Sequence, residues 1–384
     1  MSERADAVAH YEAAFARTVG AGGALAFGHA RHALVALLRA LPLAPGSEIL
    51  LSPLTCKVLP LALLAAGARP IYADVDPRTL NLDAEAVRRG VTASTKAILF
   101  QHTYGSSEGR PEVLALAHAA GLPLIDDAAQ VLAAAGVGGE LRGTSGVIWS
   151  QNLRKPLPAG AGGMLTSDDR DLLERAARHR EAFLAPSRGF LARLRLERFV
   201  QHRLLSPRSY WLFFRLAQRL SGTYSRRTRD QEIAAFVTAA PGRIGPLQAR
   251  WGSAALAAAG SSAEIRRRRR GTYALALAGR KGLGAIDVGR AAPYFFPVLV
   301  DRKKDLLAAA EKRGLEVVAW PIEQVIYPLE RAEDLATYGY RPGTCPRAED
   351  IARRLVGLPL DPNSTDADVL AVIELVRSVQ GGDA

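Results

Sequence analysis

The sequence has few of the features that mark secreted or membrane proteins. Its only two cysteines, Cys56 and Cys345, are far apart in the 384 residues, which argues against a disulfide-stapled fold and suits a reducing compartment. No stretch approaches about 18 uninterrupted apolar residues, so no membrane-spanning helix is predicted. The first residues also lack the apolar segment of a signal peptide, and we therefore expect a cytoplasmic protein.

Acidic residues and lysines are scarce as well. Asp and Glu number 38 against 50 Lys and Arg, which gives a formal net charge of +12. Such a basic chain suits nucleic acid, an anionic membrane or a phosphorylated substrate, and composition alone does not choose among them. Arginine supplies nearly all of the positive charge, so a lysine in a structured position is expected to have a specific role.

Short apolar runs alternate with helical segments through the first half of the chain. Strands are predicted near 24–27, 48–51, 69–72, 96–100, 122–125 and 146–149. Alternation of this kind predicts βαβ units and an α/β fold with a mainly parallel central sheet flanked by helices. The last hundred residues have a strand at 294–300 and helices at 302–313 and 364–379, which predict a smaller C-terminal α+β domain.

Two apolar runs end on chemically active side chains. The first ends on Asp126 and Asp127, and the second ends on Ser150, five residues before Lys155 in a Pro- and Gly-rich turn. Open α/β sheets bind ligands at the carboxyl ends of their strands. A lysine amine becomes nucleophilic when its pKa is lowered, and pyridoxal phosphate (PLP) is an aldehyde cofactor whose ring nitrogen needs an acidic partner such as Asp127. Alternatively, the two acids cap a helix and Lys155 is a loop cation.

The segments 125–130, 150–155 and 160–165 together resemble the cofactor core of the DegT/StrS-type sugar aminotransferases. These are fold-type-I PLP enzymes that form amino sugars from keto sugars. The resemblance implies that Lys155 binds PLP covalently and Asp127 pairs with the pyridine nitrogen. It also implies the following neighbours of the cofactor: Gln130 beside the ring hydroxyl, Ser150 at the phosphate, and Asn152 where the family often has histidine. A dehydratase branch replaces the lysine by histidine, so Lys155 favours transamination.

Three further positions follow from the same resemblance. A small-residue turn at 28–34 opens a helix whose free amides suit an anion, and the family holds the PLP phosphate there, with Arg31 and His32 at the matching positions. The alternative is a plain helix start with two surface cations. Cys56 stands where the family has an aromatic residue stacked on the ring. Arg243 matches a motif that reaches the partner subunit's site, although Pro241 replaces the asparagine that contacts the phosphate.

A basic insert interrupts the resemblance. Residues 186–229 contain eleven arginines and one acid, Glu197, and this segment accounts for most of the net charge. The pattern predicts two amphipathic basic helices joined at Pro207. Three interpretations stay open: an arm over the substrate or a second subunit, a helix on an anionic membrane surface through 188–229, or nucleic-acid binding. The last is disfavoured because the aromatics are clustered and not interleaved with the arginines.

Several other polar residues suggest sites, and we interpret them as structural. Asp74 and Asp76 are interpreted as turn acids because no His or Cys lies near them, and no metal site is expected. His102 is interpreted as a packed, hydrogen-bonded histidine. The run 266–270 of five arginines is predicted to lie on a solvated helix that faces phosphate in part.

The expected domains are the first part of a large PLP-binding domain, the insert, an interface segment with a long helix, and a small domain, at 1–185, 186–230, 231–280 and 281–384. We expect a homodimeric PLP-dependent aminotransferase that binds no nucleic acid. By the resemblance, its amino-acid donor is L-glutamate and its substrate is a keto sugar on a nucleotide or lipid diphosphate. It would work in the cytoplasm, free or peripheral at the inner membrane face. The alternative is a catalytically altered scaffold that serves as a membrane-associated or protein-interaction module, favoured by Cys56 and Pro241.

Overall fold

The computed structural model describes residues 2–134, 137–152, 155–203, 211, 229–289, 291–320, 324–329 and 331–381. Strands and helices alternate in its first half, as the sequence pattern predicts. The elements are, in order, α1 (Ser2–Val19), β1 (Gly23–Phe27), α2 (Ala30–Ala40), β2 (Glu48–Leu51), β3 (Thr55–Cys56), α3 (Val58–Ala65), β4 (Arg69–Tyr72), α4 (Ala84–Gly90), β5 (Thr95–Gln101), α5 (Arg110–Ala119), β6 (Leu124–Asp127), β7 (Gly146–Ser150), β8 (Gly163–Ser167) and α6 (Arg170–Glu181).

Seven of these strands form the central sheet, in the order β1-β8-β7-β6-β5-β2-β4. The strands from β7 to β4 pair in parallel, whereas β8 is antiparallel to both β7 and β1. Helices cover both faces, so β6, β7 and β8 are buried at every residue. Parallel strands of this kind are continuous apolar runs, and their polar residues gather at the carboxyl ends.

The second half of the chain supplies helices and two smaller sheets. Its elements are α7 (Arg188–Arg203), α8 (Arg229–Thr238), α9 (Pro246–Ala257), α10 (Ala259–Leu277), β9 (Leu283–Ala285), β10 (Phe295–Val300), α11 (Lys303–Arg313), β11 (Ile326–Tyr327), α12 (Pro346–Arg354), β12 (Leu355–Pro359) and α13 (Asp366–Gln380). Strands β12, β10 and β9 form an antiparallel sheet, and β11 pairs in parallel with β3. The β3–β11 pair therefore joins the C-terminal part of the chain to the segment that follows β2 of the central sheet.

Most predicted elements are confirmed, with shifted ends. Strand β1 is Gly23–Phe27 where 24–27 was expected, and β5 is Thr95–Gln101 where 96–100 was expected. Helix α7 confirms the first predicted basic helix. The second lies outside the described residues except for Trp211, whose indole N–H donates to the carbonyl of Leu315 at 2.7 Å.

The prediction of a solvated arginine run on α10 is wrong for two of its five members. Arg266 and Arg269 are 2% and 5% exposed. Their guanidinium groups donate to backbone carbonyls, those of Pro293 and Tyr294 for Arg266 and those of Asp361 and Ser364 for Arg269. A contiguous run points in every direction around a helix, so part of it must face the neighbouring elements. Backbone carbonyls thus accept from both buried guanidinium groups, and Arg269 also lies 3.6 Å from the carboxylate of Asp366.

The two acids near β4 are structural, as predicted. Asp74 accepts from the backbone N–H groups of Arg347 and Ala348, at 3.1 and 2.9 Å, and so caps α12. Asp76 pairs with Arg78 at 3.0 Å. Across the described part of the chain, no three His, Cys, Asp or Glu side chains are grouped to hold a metal ion. None of the described helices has the length and apolarity needed to cross a bilayer.

Candidate active site

Adjacent acids at the end of β6 have different environments. Asp126 is fully buried and accepts two hydrogen bonds from Arg110, at 2.9 and 2.8 Å, and one from His102 Nε2 at 2.8 Å. Burial raises the pKa of Asp126, but the hydrogen bonds and charges of these partners outweigh it and hold the pKa below the usual value. Asp126 is therefore a structural anion, and His102 is the packed, hydrogen-bonded histidine that the sequence predicts.

Among the described residues, no arginine or histidine pairs with the Asp127 carboxylate in this way. The positive charge that affects it most is that of Lys155. One of its oxygens accepts from the N–H of Ala129 at 2.9 Å. Burial raises the pKa of Asp127, opposed by that hydrogen bond and by the positive charge of Lys155. Burial also lowers the pKa of Lys155, opposed by Asp127 and Cys56. Asp127, Lys155 and Cys56 thus share one poorly solvated site, and the Lys155 amine is more readily neutral there than in water.

The loop that carries Lys155 is tied at both ends. The N–H of Gln151 donates to the carbonyl of Gly162, and that of Ala159 donates to the carbonyl of Gln151, each at 2.9 Å. Gln248 from α9 adds a hydrogen bond to the carbonyl of Ala161 at 2.6 Å. These bonds fix where the loop leaves β7 and enters β8, and they hold Lys155 at the carboxyl end of β7.

Helices α7 and α9 both pack on the loop that carries Lys155, at Gly160. Gly160 has a φ of +87°, which favours glycine, and a Cβ there would lie 2.9 Å from the Trp251 ring and 3.3 Å from Leu194. Leu194 is 2% exposed, and Arg198 of α7 lies over the Trp251 ring at 4.6 Å. The first helix of the basic insert therefore packs on the Lys155 loop of its own chain.

The start of α2 adjoins this loop. Ser150 pairs with Gly163 across β7 and β8, and a Cβ on Gly163 would clash with the backbone of His29 and Ala30 at the start of α2. No side chain caps α2, and its first turn has no acid. Unpaired amides at a helix start favour a bound anion, so Ser150 and the start of α2 are the candidate position for a phosphate.

Four other residues were predicted to lie near the cofactor, and their side chains pack, form an ion pair or are exposed. His32 is fully buried, and its Nε2 donates to the carbonyl of Val237 at 2.9 Å. Arg31 lies over the Phe236 ring at 5.3 Å. Arg243 pairs with Glu181 at 3.3 Å, and Asn152 is exposed. None of these contacts of Arg31, His32 and Arg243 involves Lys155, whereas the backbone carbonyl of Asn152 accepts from the N–H of Lys155 at 2.9 Å.

The remaining two predicted residues lie along the site. Gln130 is 9% exposed, and its side-chain oxygen accepts from the N–H of Tyr104 at 2.8 Å. Cys56 is partly exposed and lies opposite Tyr327 in the β3–β11 pair. Burial raises the pKa of the Cys56 thiol, so it stays protonated beside Lys155.

Sequence reasoning missed Tyr294. Its ring centroid lies 5.8 Å from Lys155 Nζ, the range of a cation–π contact. In the sequence Tyr294 was assigned only to a strand, and it is 139 positions from the lysine. No local spacing signals such a contact, because it depends on how the C-terminal part packs on the central sheet.

The buried neutral His32 makes stability depend on pH. Burial lowers the pKa of His32 to about 4 from the usual value of 6.5. The folded state therefore resists protonation that the unfolded state accepts, and stability is lost as pH falls from 6.5 towards 4. We expect this effect of His32 to lower the free energy of unfolding by about 2 kcal/mol when the pH falls from 7.5 to 5.0.

Urea unfolding of the protein at the two pH values measures this loss. The His32→Phe variant should show a smaller pH dependence than the wild type. The matched control His10→Gln changes an exposed histidine of α1 and should leave the pH dependence of unfolding unchanged. An unchanged pH dependence in His32→Phe would contradict the assignment.

The site has the groups that PLP requires. Lys155 offers a poorly solvated amine, Asp127 a buried carboxylate with an oxygen that receives no backbone hydrogen bond, and Ser150 with the start of α2 a phosphate position. Lys155 would hold the aldehyde carbon and Asp127 the pyridine nitrogen. All three lie at the carboxyl edge of the parallel sheet, where such folds bind ligands. Fold and site together define a fold-type-I PLP-dependent transferase.

The chain belongs to the DegT/DnrJ/EryC1/StrS aminotransferase family, whose model matches residues 2–377. It is 28% identical to the spore coat polysaccharide biosynthesis protein SpsC of Bacillus subtilis, over 98% of this chain and 90% of that protein. It is 40% identical to the dTDP-4-dehydro-2,3,6-trideoxy-D-glucose 4-aminotransferase of Saccharopolyspora spinosa, over 38% of each protein. The family confirms the resemblance, the aminotransferase class and the PLP cofactor.

Solved structures agree with the fold. DesV of S. venezuelae has a TM-score of 0.73 at 23% identity, with 98% of this chain and 90% of that chain covered. The NtdA structure from Bacillus subtilis with bound cofactor PMP has a TM-score of 0.74 at 18% identity, over 98% and 77%. At these identities the likeness establishes the fold, including the mainly parallel central sheet and the small antiparallel sheet.

Proposed function

We propose that this aminotransferase converts the ketone of a keto sugar, carried on a nucleotide or lipid diphosphate, into an amine, with L-glutamate as the donor. The observation that carries the proposal is that Lys155 and Asp127, after the ends of β7 and β6, lie near enough for the charge of each to affect the pKa of the other. A lysine with a lowered pKa beside a buried carboxylate can hold an aldehyde cofactor and move protons. The proposed site residues are Lys155, Asp127, Gln130, Ser150 and Cys56, with the start of α2 at the phosphate.

In the proposed reaction, Lys155 transfers the protons. When bound, PLP supplies an aldehyde and an electron-poor ring that takes up the electron pair of a carbanion. Lys155 Nζ takes the α-proton of the amino donor as a base and later returns a proton to the sugar carbon as an acid. Asp127 would hold the ring nitrogen of the cofactor and would favour its protonated form. The lowered pKa of Lys155 favours the neutral amine, which is the form that takes up a proton.

Relatives support the substrate class. Sequences that match this chain include a GDP-perosamine synthase, at 32% identity over 48% of the chain, and a UDP-2-acetamido-2-deoxy-3-oxo-D-glucuronate aminotransferase, at 32% over 45%. Each of these two relatives is named for a sugar linked to a nucleoside diphosphate. The basic composition of this chain suits a substrate with an anionic diphosphate.

The proposed function is tested by half-reactions. Holoenzyme mixed with L-glutamate alone should lose its visible absorption band and release 2-oxoglutarate. Addition of a keto sugar nucleotide should restore the band, and a nucleoside diphosphate without the sugar should not. Protein that acquires no visible band with PLP would support instead the catalytically altered scaffold acting through interactions.

The other proposed features concern assembly. We propose a homodimer with sites at the subunit interface, in which the exposed Arg243 reaches the partner's site. We also keep the four segments 1–185, 186–230, 231–280 and 281–384 as the proposed division of the chain. Light scattering during gel filtration tests the dimer, and a monomeric mass in active enzyme would overturn it.

The outer face of α7 supports contact with an anionic membrane. Leu196 and Phe199 are 62% and 58% exposed and lie one turn apart beside Arg195. The inner face of the helix, with Leu194, packs on the Lys155 loop, so membrane contact through the outer face would bring the site close to a lipid-linked substrate. Apolar side chains flanked by arginines are what an in-plane membrane helix presents.

We expect the Leu196→Ser/Phe199→Ser double variant to reduce co-sedimentation with anionic liposomes about tenfold, because it removes apolar area that would enter the lipid. Binding of the wild type should weaken with added salt. The control Leu370→Ser removes a side chain of similar exposure, 61%, on α13 and should bind like the wild type. Equal pelleting of all three proteins would contradict membrane contact through α7.

A further inference from the structure

Four aromatic side chains follow one another around the site. We call Tyr104, Tyr294, Trp320 and Tyr327 the aromatic rim. The rings of Tyr104 and Trp320 meet edge to face at 5.7 Å, and those of Trp320 and Tyr327 lie 6.5 Å apart. The N–H of Tyr294 donates to the carbonyl of Tyr104 at 3.3 Å. Three rings of the rim therefore follow one another, and Tyr294 is joined to them through the backbone of Tyr104, although these residues come from two distant parts of the sequence.

Both ends of the aromatic rim reach the catalytic groups. At one end the Tyr294 ring lies 5.8 Å from Lys155 Nζ. At the other end Tyr327 pairs with Cys56, whose thiol shares its electrostatic environment with Lys155 and Asp127. Tyr294, Trp320 and Tyr327 are partly exposed, so apolar ring surface is available next to the reacting amine.

The rim is held rigidly. Tyr104 is 1% exposed and has a φ of +54°, which is rare for a tyrosine, and its hydroxyl donates to the carbonyl of Trp320 at 3.0 Å. Strain of this kind persists only where the surrounding structure maintains it. The buried Arg266 donates to the carbonyl of Tyr294 at 2.9 Å. Tyr104, Trp320 and Tyr294 are thus held in place before a ligand arrives, which limits the entropy lost on binding.

We propose that the aromatic rim is the subsite for the sugar ring of the substrate, and that Trp320 and Tyr294 determine specificity. The proposal rests on the proposed function. A hexose ring has an apolar face of C–H groups that packs on aromatic faces, and apolar pockets with a few polar groups are typical of small-molecule sites. The reacting carbon must come close to Lys155 Nζ, so the group that reaches the rim is the sugar. A nucleobase would lie farther away, beyond the ribose and the diphosphate.

Binding to holoenzyme tests the proposal without turnover. The probes are UDP-N-acetylglucosamine, dTDP-glucose and GDP-mannose, each compared with its nucleoside diphosphate by calorimetry. In Trp320→Ala and Tyr294→Leu we expect the dissociation constant of the sugar nucleotide to rise about tenfold, because an aromatic contact is lost. The constant of the nucleoside diphosphate should change less than about twofold. Trp320→Phe keeps an aromatic face and should recover most of the affinity.

The outcomes are distinct from those for the proposed function. The rim is not the sugar subsite if the sugar nucleotide and the diphosphate weaken equally, if neither weakens, or if wild-type holoenzyme binds none of the three sugars more tightly than its diphosphate. In each case the glutamate half-reaction can still proceed, so transamination would stand. Two variants at separate positions are used because either one alone could unfold, and circular dichroism checks each of them.

Discussion

Replacing Lys155 by alanine will lower transamination at least about 10³-fold, because the same amine holds the cofactor and moves the proton, and a positioned proton-transfer group alone contributes 10²–10⁴-fold. The variant should also lack the visible absorption band of the wild type after incubation with PLP. Both results follow from the poorly solvated position of Lys155 beside Asp127. Initial rates with L-glutamate and the absorption spectrum measure them.

Lys96→Ala is the matched control. Lys96 is exposed at the start of β5 and donates to the carbonyl of Ala93. This variant should retain wild-type rates and spectrum. Full activity in Lys155→Ala, or an equal loss in the control, would contradict the assignment of the amine.

Although Asp126 and Asp127 are adjacent, Asp126→Asn should affect mainly the stability of the protein and Asp127→Asn mainly its activity. Asp126→Asn should lower the free energy of unfolding by about 3–5 kcal/mol, since it leaves the buried Arg110 without its carboxylate. Asp127→Asn removes a buried carboxyl group whose pKa is raised, so the free energy of unfolding of the apoprotein should change by less than about 1 kcal/mol. Its rate should fall more than about 100-fold, because the ring nitrogen loses its acidic partner.

The signs of the two pKa shifts set the pH for this comparison. The lowered pKa of Asp126 contributes stability above the unfolded value of 3.8, and that contribution is lost as pH falls through the folded pKa. The raised pKa of Asp127 has the opposite sign and costs stability at neutral pH. Urea unfolding of both apoproteins at pH 7.5 should therefore separate them. Equal destabilisation, or a larger loss for Asp127→Asn, would refute the division of roles.

The sequence carries the fold and much of the site because both depend on local patterns. Apolar runs mark buried strands, and the residues that end them, Asp127 and Ser150, are brought to one edge by parallel pairing. Lys155 is visible because the chain otherwise uses arginine, and its Gly-rich loop signals a fixed turn. Family resemblance adds the chemistry of the cofactor, which spacing alone does not provide.

What the sequence does not reveal depends on contacts between distant segments. Asp126 and Asp127 are identical in type, and only the approach of Arg110 and His102 distinguishes them. Arg266 belongs to a polar run yet is buried, because carbonyls of the segment after β9 accept its hydrogen bonds. Tyr294 reaches Lys155 through that same segment. No period or motif encodes such pairs.

Borohydride reduction of the holoenzyme followed by peptide mapping identifies the amine that holds the cofactor, because reduction fixes the cofactor to that amine. The reduced cofactor should be found on the peptide that contains Lys155, and on no peptide of the Lys96 region. A label on another lysine, or no label on a protein that has a visible band, would contradict this role of Lys155.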